Sequence, residues 1–110
     1  MKSIKELYRV GPGPSSSHTI GPSKAAALFR QHFPSHMYTV KLYGSLAATG
    51  KGHLTDYIVE KALQPAKVTF EWYPEVELAR HPNGMILTNG TDSWEVYSIG
   101  GGAIEIKDFS

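Results

Sequence analysis

Two stretches of the chain place hydroxyls, glycines and a histidine directly before an apolar helical pattern. The first is GPSSSHT, Gly13 to Thr19, where Ser15, Ser16, Ser17, His18 and Thr19 stand in an unbroken row. A helix N-terminus has unpaired amides and a partial positive charge, so such a loop suits a carboxylate or a phosphate. His18 could donate a hydrogen bond to that anion, or move a proton near neutral pH. The same residues also read as a plain cap on a proline-stiffened loop, with Ser17 as the capping residue. The second stretch is TGKGH, Thr49 to His53, which adds a cation, Lys51, and a second imidazole, His53. It is not a P-loop, because it lacks the four residues between the glycines and the Ser/Thr that follows. An exposed lysine in a turn with a capping histidine is its plainer reading. A third stretch, SIGGGA, Ser98 to Ala103, has Gly100, Gly101 and Gly102, which let a backbone approach a ligand closely. It does not match GxGxxG and lies between strand patterns, so a flexible turn or bulge stands beside the ligand reading. A nucleophile pair drawn from Ser15, Ser16 or Ser17 with His18 or His53 has no nucleophile-elbow pattern around it.

The elements around these stretches set how they are positioned. Ile4, Leu7 and Tyr8 stand at helical spacing and predict one or two helical turns in residues 1–10. Gly11 to Ser17 cannot be regular, because Pro12 and Pro14 remove donors and restrict their predecessors. A helix is expected from Ser17 or His18 to Phe33. Its apolar positions are Ile20, Ala27 and Leu28, and Ala25, Phe29 and Phe33, and Pro34 stops it. Gly21-Pro22 leaves two starts open: a regular helix from about Gly21, or a distorted one from Ser17. Tyr38, Val40 and Leu42 alternate with Thr39, Lys41 and Tyr43 as a strand with one buried face. GSLAATGKG reads as a glycine-punctuated connection. Leu54, Ile58 and Ala62 mark a second helix from His53 to Leu63, with Asp56 favourably placed in its first turn.

After Pro65 the period becomes two, with Val68, Phe70 and Trp72 facing one way. Val76 and Leu78 suggest a further extended piece. HPNG reads as a type I turn, MILT as a strand, NGTD as a turn, SWEVYSI as a strand, GGG as a break and AIEI as a last strand. The order predicts an α+β fold of two layers, with helices packed on one face of a mixed β-sheet. Residues 38–72 should form a strand–helix–strand unit with parallel strands and a right-handed crossover, followed by an antiparallel meander. Both motif loops then precede helices on the same side of the sheet. They could converge, bringing two histidines, one lysine and several hydroxyls around one small anion.

Composition narrows the function classes. The chain has 110 residues, 41% of them apolar, a formal charge of +1 and no cysteine. The apolar content does not suggest disorder. Without a basic run, the electrostatic term behind nucleic-acid binding is weak, and no nucleic-acid partner is expected. No apolar run approaches the roughly 18 residues of a membrane span. MKSIKELYRV has no apolar core of signal-peptide length, which favours the cytoplasm. The lack of cysteine excludes disulfides, thiolate metal sites and cysteine nucleophiles. With no HxxxH pair on a helix either, no metal site is expected in this chain. His32, His36 and His81 are expected to be solvated, and Trp72, Trp94, Phe29 and Phe70 to be core.

VGPGPSSSHTIGPSKAA, LYGSLAATGKGHLTD and YSIGGGAIEI closely resemble the β domain of bacterial iron–sulfur-dependent L-serine dehydratases (L-serine ammonia-lyases). The resemblance covers essentially the whole chain, in the same order. It implies deamination of L-serine to pyruvate and ammonia with a [4Fe–4S] cluster, whose open iron acts as a Lewis acid on the substrate hydroxyl. A base removes the α-proton, water leaves, and the aminoacrylate hydrolyses. The cluster cysteines lie in a separate α domain or α subunit, so the cofactor would not be bound by this chain. The resemblance also implies roles for single residues. His18 and His53 would be polar, proton-transferring groups. Ser15, Ser16, Ser17, Thr19 and Lys51 would lie at the substrate, and Gly100, Gly101 and Gly102 at the domain interface. It further implies a homo-oligomer, and a likeness to the allosteric substrate-binding domain of some phosphoglycerate dehydrogenases. With no cysteine, residues 1–110 are expected to form a single β domain, inactive without its α partner. The alternative is a non-enzymatic regulatory domain that binds L-serine or a similar small carboxylate.

Overall fold

The structure, a computed structural model, describes residues 2–6, 19–50, 55–78, 83–100 and 103–108. The first surprise is at the start. Lys2–Glu6 is a strand, β1, paired antiparallel with the last strand, where sequence spacing predicts a helix. Leu7 and Tyr8 lie outside the described residues. Five residues are too few to fix a helical period, and the exposed edge of the last strand offers five backbone partners, from Lys2 opposite Asp108 to Glu6 opposite Ile104.

Helix α1 spans Ile20–His32, with Thr19 at the N-cap position. This decides between the two predicted starts. Pro22 falls in the first turn, where its missing N–H would be unpaired anyway, so no distorted turn from Ser17 is needed. Ser17, the predicted cap, lies outside the described residues. Strand β2, Met37–Tyr43, buries Tyr38, Val40 and Leu42 as the alternation predicts. The predicted connection after it is instead helical at first: α2 covers Gly44–Gly50 and sinks Leu46 and Ala47 into the core. Its apolar and alanine residues favour helix over loop once that burial is available.

Helix α3 is Thr55–Leu63, within the predicted span; His53, its predicted start, lies outside the described residues. Its most buried line is Thr55, Val59 and Leu63, one residue round from the predicted Ile58 and Ala62, which are half-buried. Leu54 is outside the described residues. The helix packs on α1 as well as on the sheet, so the arc it must bury is wider and its centre turns. In α1 the buried stripe is Gly21, Pro22, Ala25, Ala26 and Phe29, while Ala27 is exposed.

Strands β3 (Lys67–Tyr73), β4 (Gly84–Thr88), β5 (Ser93–Gly100) and β6 (Ala103–Asp108) complete a six-stranded sheet of order β1-β6-β5-β4-β2-β3. The β2–β3 pair is parallel and the rest are antiparallel, giving the expected mixed sheet. Between β3 and β4 no strand is described over Val76–Leu78; Leu78 makes a single bridge, and Val76 accepts a hydrogen bond from the Gly44 amide. The NGTD turn is present: the Asn89 side chain accepts from the amides of Thr91 and Asp92, and Gly90 takes φ +95°.

All three helices contribute to one core. Phe29 lies at its centre, with ring centroids 5.2 Å from Trp94, 5.1 Å from Phe33 and 5.9 Å from Tyr38. Trp94 and Phe29 are core as expected; Phe70 and Trp72, on the edge strand, are only half-buried. His36 is exposed as expected. His32, also exposed, lays its ring 5.4 Å from Trp94.

The opposite face of the sheet carries no described helix. There Tyr43 and Tyr73 stack at 5.0 Å. Burial, then the nearby Glu71 and Glu95 carboxylates, push the Tyr43 phenol above its ordinary 10.0. For Tyr73 the main cause is its 2.5 Å hydrogen bond to Glu71. Both shifts favour the neutral phenol in the folded state. Their contribution is therefore fully present below the ordinary pKa and is lost as pH rises through the raised folded values. A phenolate absorbance titration should show Tyr43 and Tyr73 ionising late, and Glu71→Gln should move both back toward the ordinary range.

Candidate active-site end of the domain

The chain's direction brings two helix N-termini to one end. α1 ends just before β2 begins, and α3 ends just before β3 begins. β2 and β3 start side by side, Met37 opposite Lys67, with the Lys67 amide donating to the His36 carbonyl at 2.9 Å. Both helices therefore run the same way, away from the other end of the sheet. α1 and α3 pack on each other, so Thr19 and Thr55 begin neighbouring helices at that far end. β5 finishes there too, since Gly21 in the first turn of α1 sits on Ser98. Two helix dipoles thus present their positive ends on one side of the molecule; in α3 the Tyr57 amide donates to the Asp56 carboxylate at 2.9 Å.

Thr19 is half-buried, and its carbonyl accepts from the Ser23 amide at 3.0 Å. Gly100 ends β5 with φ +105°, a conformation other residues adopt only with strain, and pairs with Ala103 across a register shift after Ser98. Ser15, Ser16, Ser17, His18, Lys51, His53, Gly101 and Gly102 lie outside the described residues, as do His81 and Pro82 of the HPNG turn. Two residues that sequence reasoning did not single out shape this end. Ser98 is buried at a register position shared with Trp94 and Val96, on the helix side of β5. A Cβ on Gly21 would stand 2.2 Å from its Oγ. Asn83, also buried, clamps Ser98 by backbone and side chain: the Ser98 amide donates to its carbonyl at 3.0 Å, and its Nδ2 donates to the Ser98 carbonyl at 3.3 Å. The available signal was a serine in phase with core residues.

The Ser98 hydroxyl has no hydrogen-bond partner among the described residues. A buried hydroxyl left unpaired costs about 1–3 kcal/mol. Ser98→Ala should therefore leave stability unchanged or raise it by about 1 kcal/mol in denaturant unfolding; a clear loss would show a partner for the hydroxyl. Gly21→Ala should cost about 1–3 kcal/mol, because the new Cβ has no room above Ser98.

A family model described as serine dehydratase beta chain matches residues 3–72. The chain belongs to the serine dehydratase beta chain family. L-serine dehydratase of Mycobacterium bovis is 32% identical over 155 aligned residues, covering 98% of this chain and 34% of that protein. L-serine dehydratase TdcG of Escherichia coli K12 is 31% identical, covering 94% of this chain and 33% of its own length. L-serine dehydratase of Helicobacter pylori strain 26695 is 48% identical over 62 residues, covering 52% of this chain and 14% of that protein. The chain spans about a third of the length of these two curated L-serine dehydratases from Mycobacterium bovis and Escherichia coli. The α+β architecture expected for it is the one observed. No described helix is long and apolar enough to cross a membrane.

Proposed function

We propose that this chain is the β portion of an L-serine ammonia-lyase, contributing substrate-binding and proton-handling residues to an active site completed by a separate α domain. The single observation that carries the reading is that α1 and α3, each preceded in sequence by a motif stretch, begin at the same end of a domain of the serine dehydratase beta chain family. In this reading the amides at the starts of α1 and α3 attract the serine carboxylate. Ser15, Ser16, Ser17 and Thr19 add hydroxyls, and Lys51 adds a charge. His18 immediately precedes Thr19, and His53 stands two residues before Thr55, so both belong to these helix starts by sequence. They are assigned to proton transfer, and Gly100, Gly101 and Gly102 to the surface that meets the α domain.

The residues of this chain do not fit a [4Fe–4S] cluster as ligands. The sequence has no cysteine, and no metal-binding group of three His, Asp or Glu exists among the described residues. The cluster is assigned to the α domain, and what this chain does is bind, orient and exchange protons with the substrate. The enzyme is placed in the cytoplasm.

The test is reconstitution. A cluster-loaded serine dehydratase α domain mixed with this chain should release pyruvate from L-serine, and neither component should do so alone. No pyruvate, beside an active control β domain, would overturn the reading. Retained L-serine binding by calorimetry in that case would favour a regulatory domain.

A further inference from the structure

The first turn of α1 rests on β5 with no space to spare. Gly21 is buried there in helical backbone, which any residue adopts, so its bareness answers to space and not to conformation. A Cβ at this position would overlap the Ser98 Oγ, and would stand 3.1 Å from the Ser98 Cβ and 3.4 Å from Cγ2 of Ile104. Glycine weakens a helix relative to alanine, so the close approach is kept at the expense of the helix itself.

The support beneath Gly21 is fixed from two sides. Ser98 stands opposite Ile104 in the β5–β6 ladder. On its other side Asn83 holds it by backbone and side chain. Immediately beyond, between Ser98 and Gly100, the ladder shifts register. Ser98 is thus the last residue of β5 before the irregularity, and it carries the start of α1. Its Oγ is buried with no hydrogen-bond partner among the described residues, a penalty that alanine would avoid. A side chain that lowers stability beneath a proposed substrate-binding turn fits a site where geometry serves function.

We propose that Ser98 is a positioning residue for the carboxylate site. Its Oγ, set against Gly21, fixes how far the first turn of α1 stands from the sheet, and so where the amides of Ile20 and Gly21 lie. The inference rests on the proposed reaction, which puts the L-serine carboxylate at that helix start. The oxygen at position 98 and the bare Cα at position 21 act as a matched pair. Loss of the Oγ lets the turn settle toward β5, and a Cβ on residue 21 lifts it away. Either change moves the amides relative to the substrate, and a misplacement of about 1 Å costs about 10²-fold.

The experiment is steady-state kinetics of the reconstituted enzyme carrying Ser98→Ala, Gly21→Ala or both, with denaturant unfolding of each variant. Ser98→Ala should raise KM for L-serine by roughly tenfold and leave kcat within about threefold of wild type. It should do so while at least as stable as wild type, a split that a merely structural residue would not give. Gly21→Ala should lower kcat/KM by roughly a hundredfold. The double variant trades an oxygen for a methyl group at nearly constant volume, and the contact with the Cβ of residue 98, 3.1 Å away, becomes the closest. Its KM should return to within about threefold of wild type, because two harmful changes cancel only when they share one contact. A hydroxyl that bound substrate itself would leave the double variant as poor as Ser98→Ala. If Gly21→Ala fails to fold, the raised KM of a stable Ser98→Ala still carries the test. An unchanged KM in Ser98→Ala, or a double variant no better than the poorer single one, would overturn the proposal. If the wild-type assembly releases no pyruvate, the reaction falls instead, and L-serine affinity by calorimetry compares the same variants. A wild type that neither binds nor converts L-serine would overturn both.

Discussion

In the reconstituted enzyme, His18→Ala and His53→Ala should each lower kcat by roughly 10²- to 10⁴-fold, the range that general acid–base groups contribute. The two imidazoles lead into helices whose starts lie at the same end of the domain, which is where the proposed reading puts the substrate. A histidine that moves a proton shows itself in more than rate. Its loss should also flatten one limb of the pH profile of kcat/KM, whereas loss of a purely structural group would not. Lys51→Met and the serine variants should instead raise KM, because carboxylate binding is shared by ground state and transition state. His36→Ala is the internal control. That residue is exposed beside the start of β2, at the opposite end from both helix starts, and its removal should leave kcat within about twofold of wild type. Unchanged kcat in both motif variants would remove the histidines from the chemistry.

Phe29→Ala should be the most damaging change to the fold, costing about 3–5 kcal/mol against a total stability of about 5–15 kcal/mol for a domain of this kind. Phe29 is fully buried and touches the rings of Phe33 just past α1, Tyr38 on β2 and Trp94 on β5 at once. Truncation removes the ring and leaves a cavity between helix and sheet that neighbouring rings cannot collapse into. Its consequence for function is indirect, because the same contact seats α1 on the sheet and so fixes where Thr19 and the helix start lie. Phe29→Leu should recover most of the stability, and any lost activity should return in proportion. Chemical denaturation of both variants separates these cases. Equal stability of wild type and Phe29→Ala would contradict the assignment of Phe29 to the centre of the core.

Where a segment was long and its period clean, the sequence already contained the answer. Tyr38, Val40 and Leu42 bury as alternation requires, β2 and β3 pair in parallel, and β4 to β6 form the antiparallel meander. The errors have physical sources. β1 is a strand because β6 needs a partner, a long-range cause that five local residues cannot display. α2 forms because Leu46 and Ala47 find a core to enter, although glycines bracket the segment. The buried line of α3 is rotated by one residue because α1 claims part of its surface. At the candidate site, the loops expected to converge lie outside the described residues, and only the shared direction of α1 and α3 was legible from topology. The seating of Gly21 on Ser98 was not, because a glycine and a serine separated by most of the chain carry no shared pattern until β5 passes beneath α1.

The most direct test of the central claim is to follow the backbone amides of isotope-labelled chain, assembled with its α domain, as L-serine is added. Chemical-shift changes should concentrate at Thr19, Ile20 and Gly21 at the start of α1 and at Thr55 and Asp56 at the start of α3, with the far ends of both helices unaffected. No change at either helix start, or changes confined to the opposite end near His36, would contradict it.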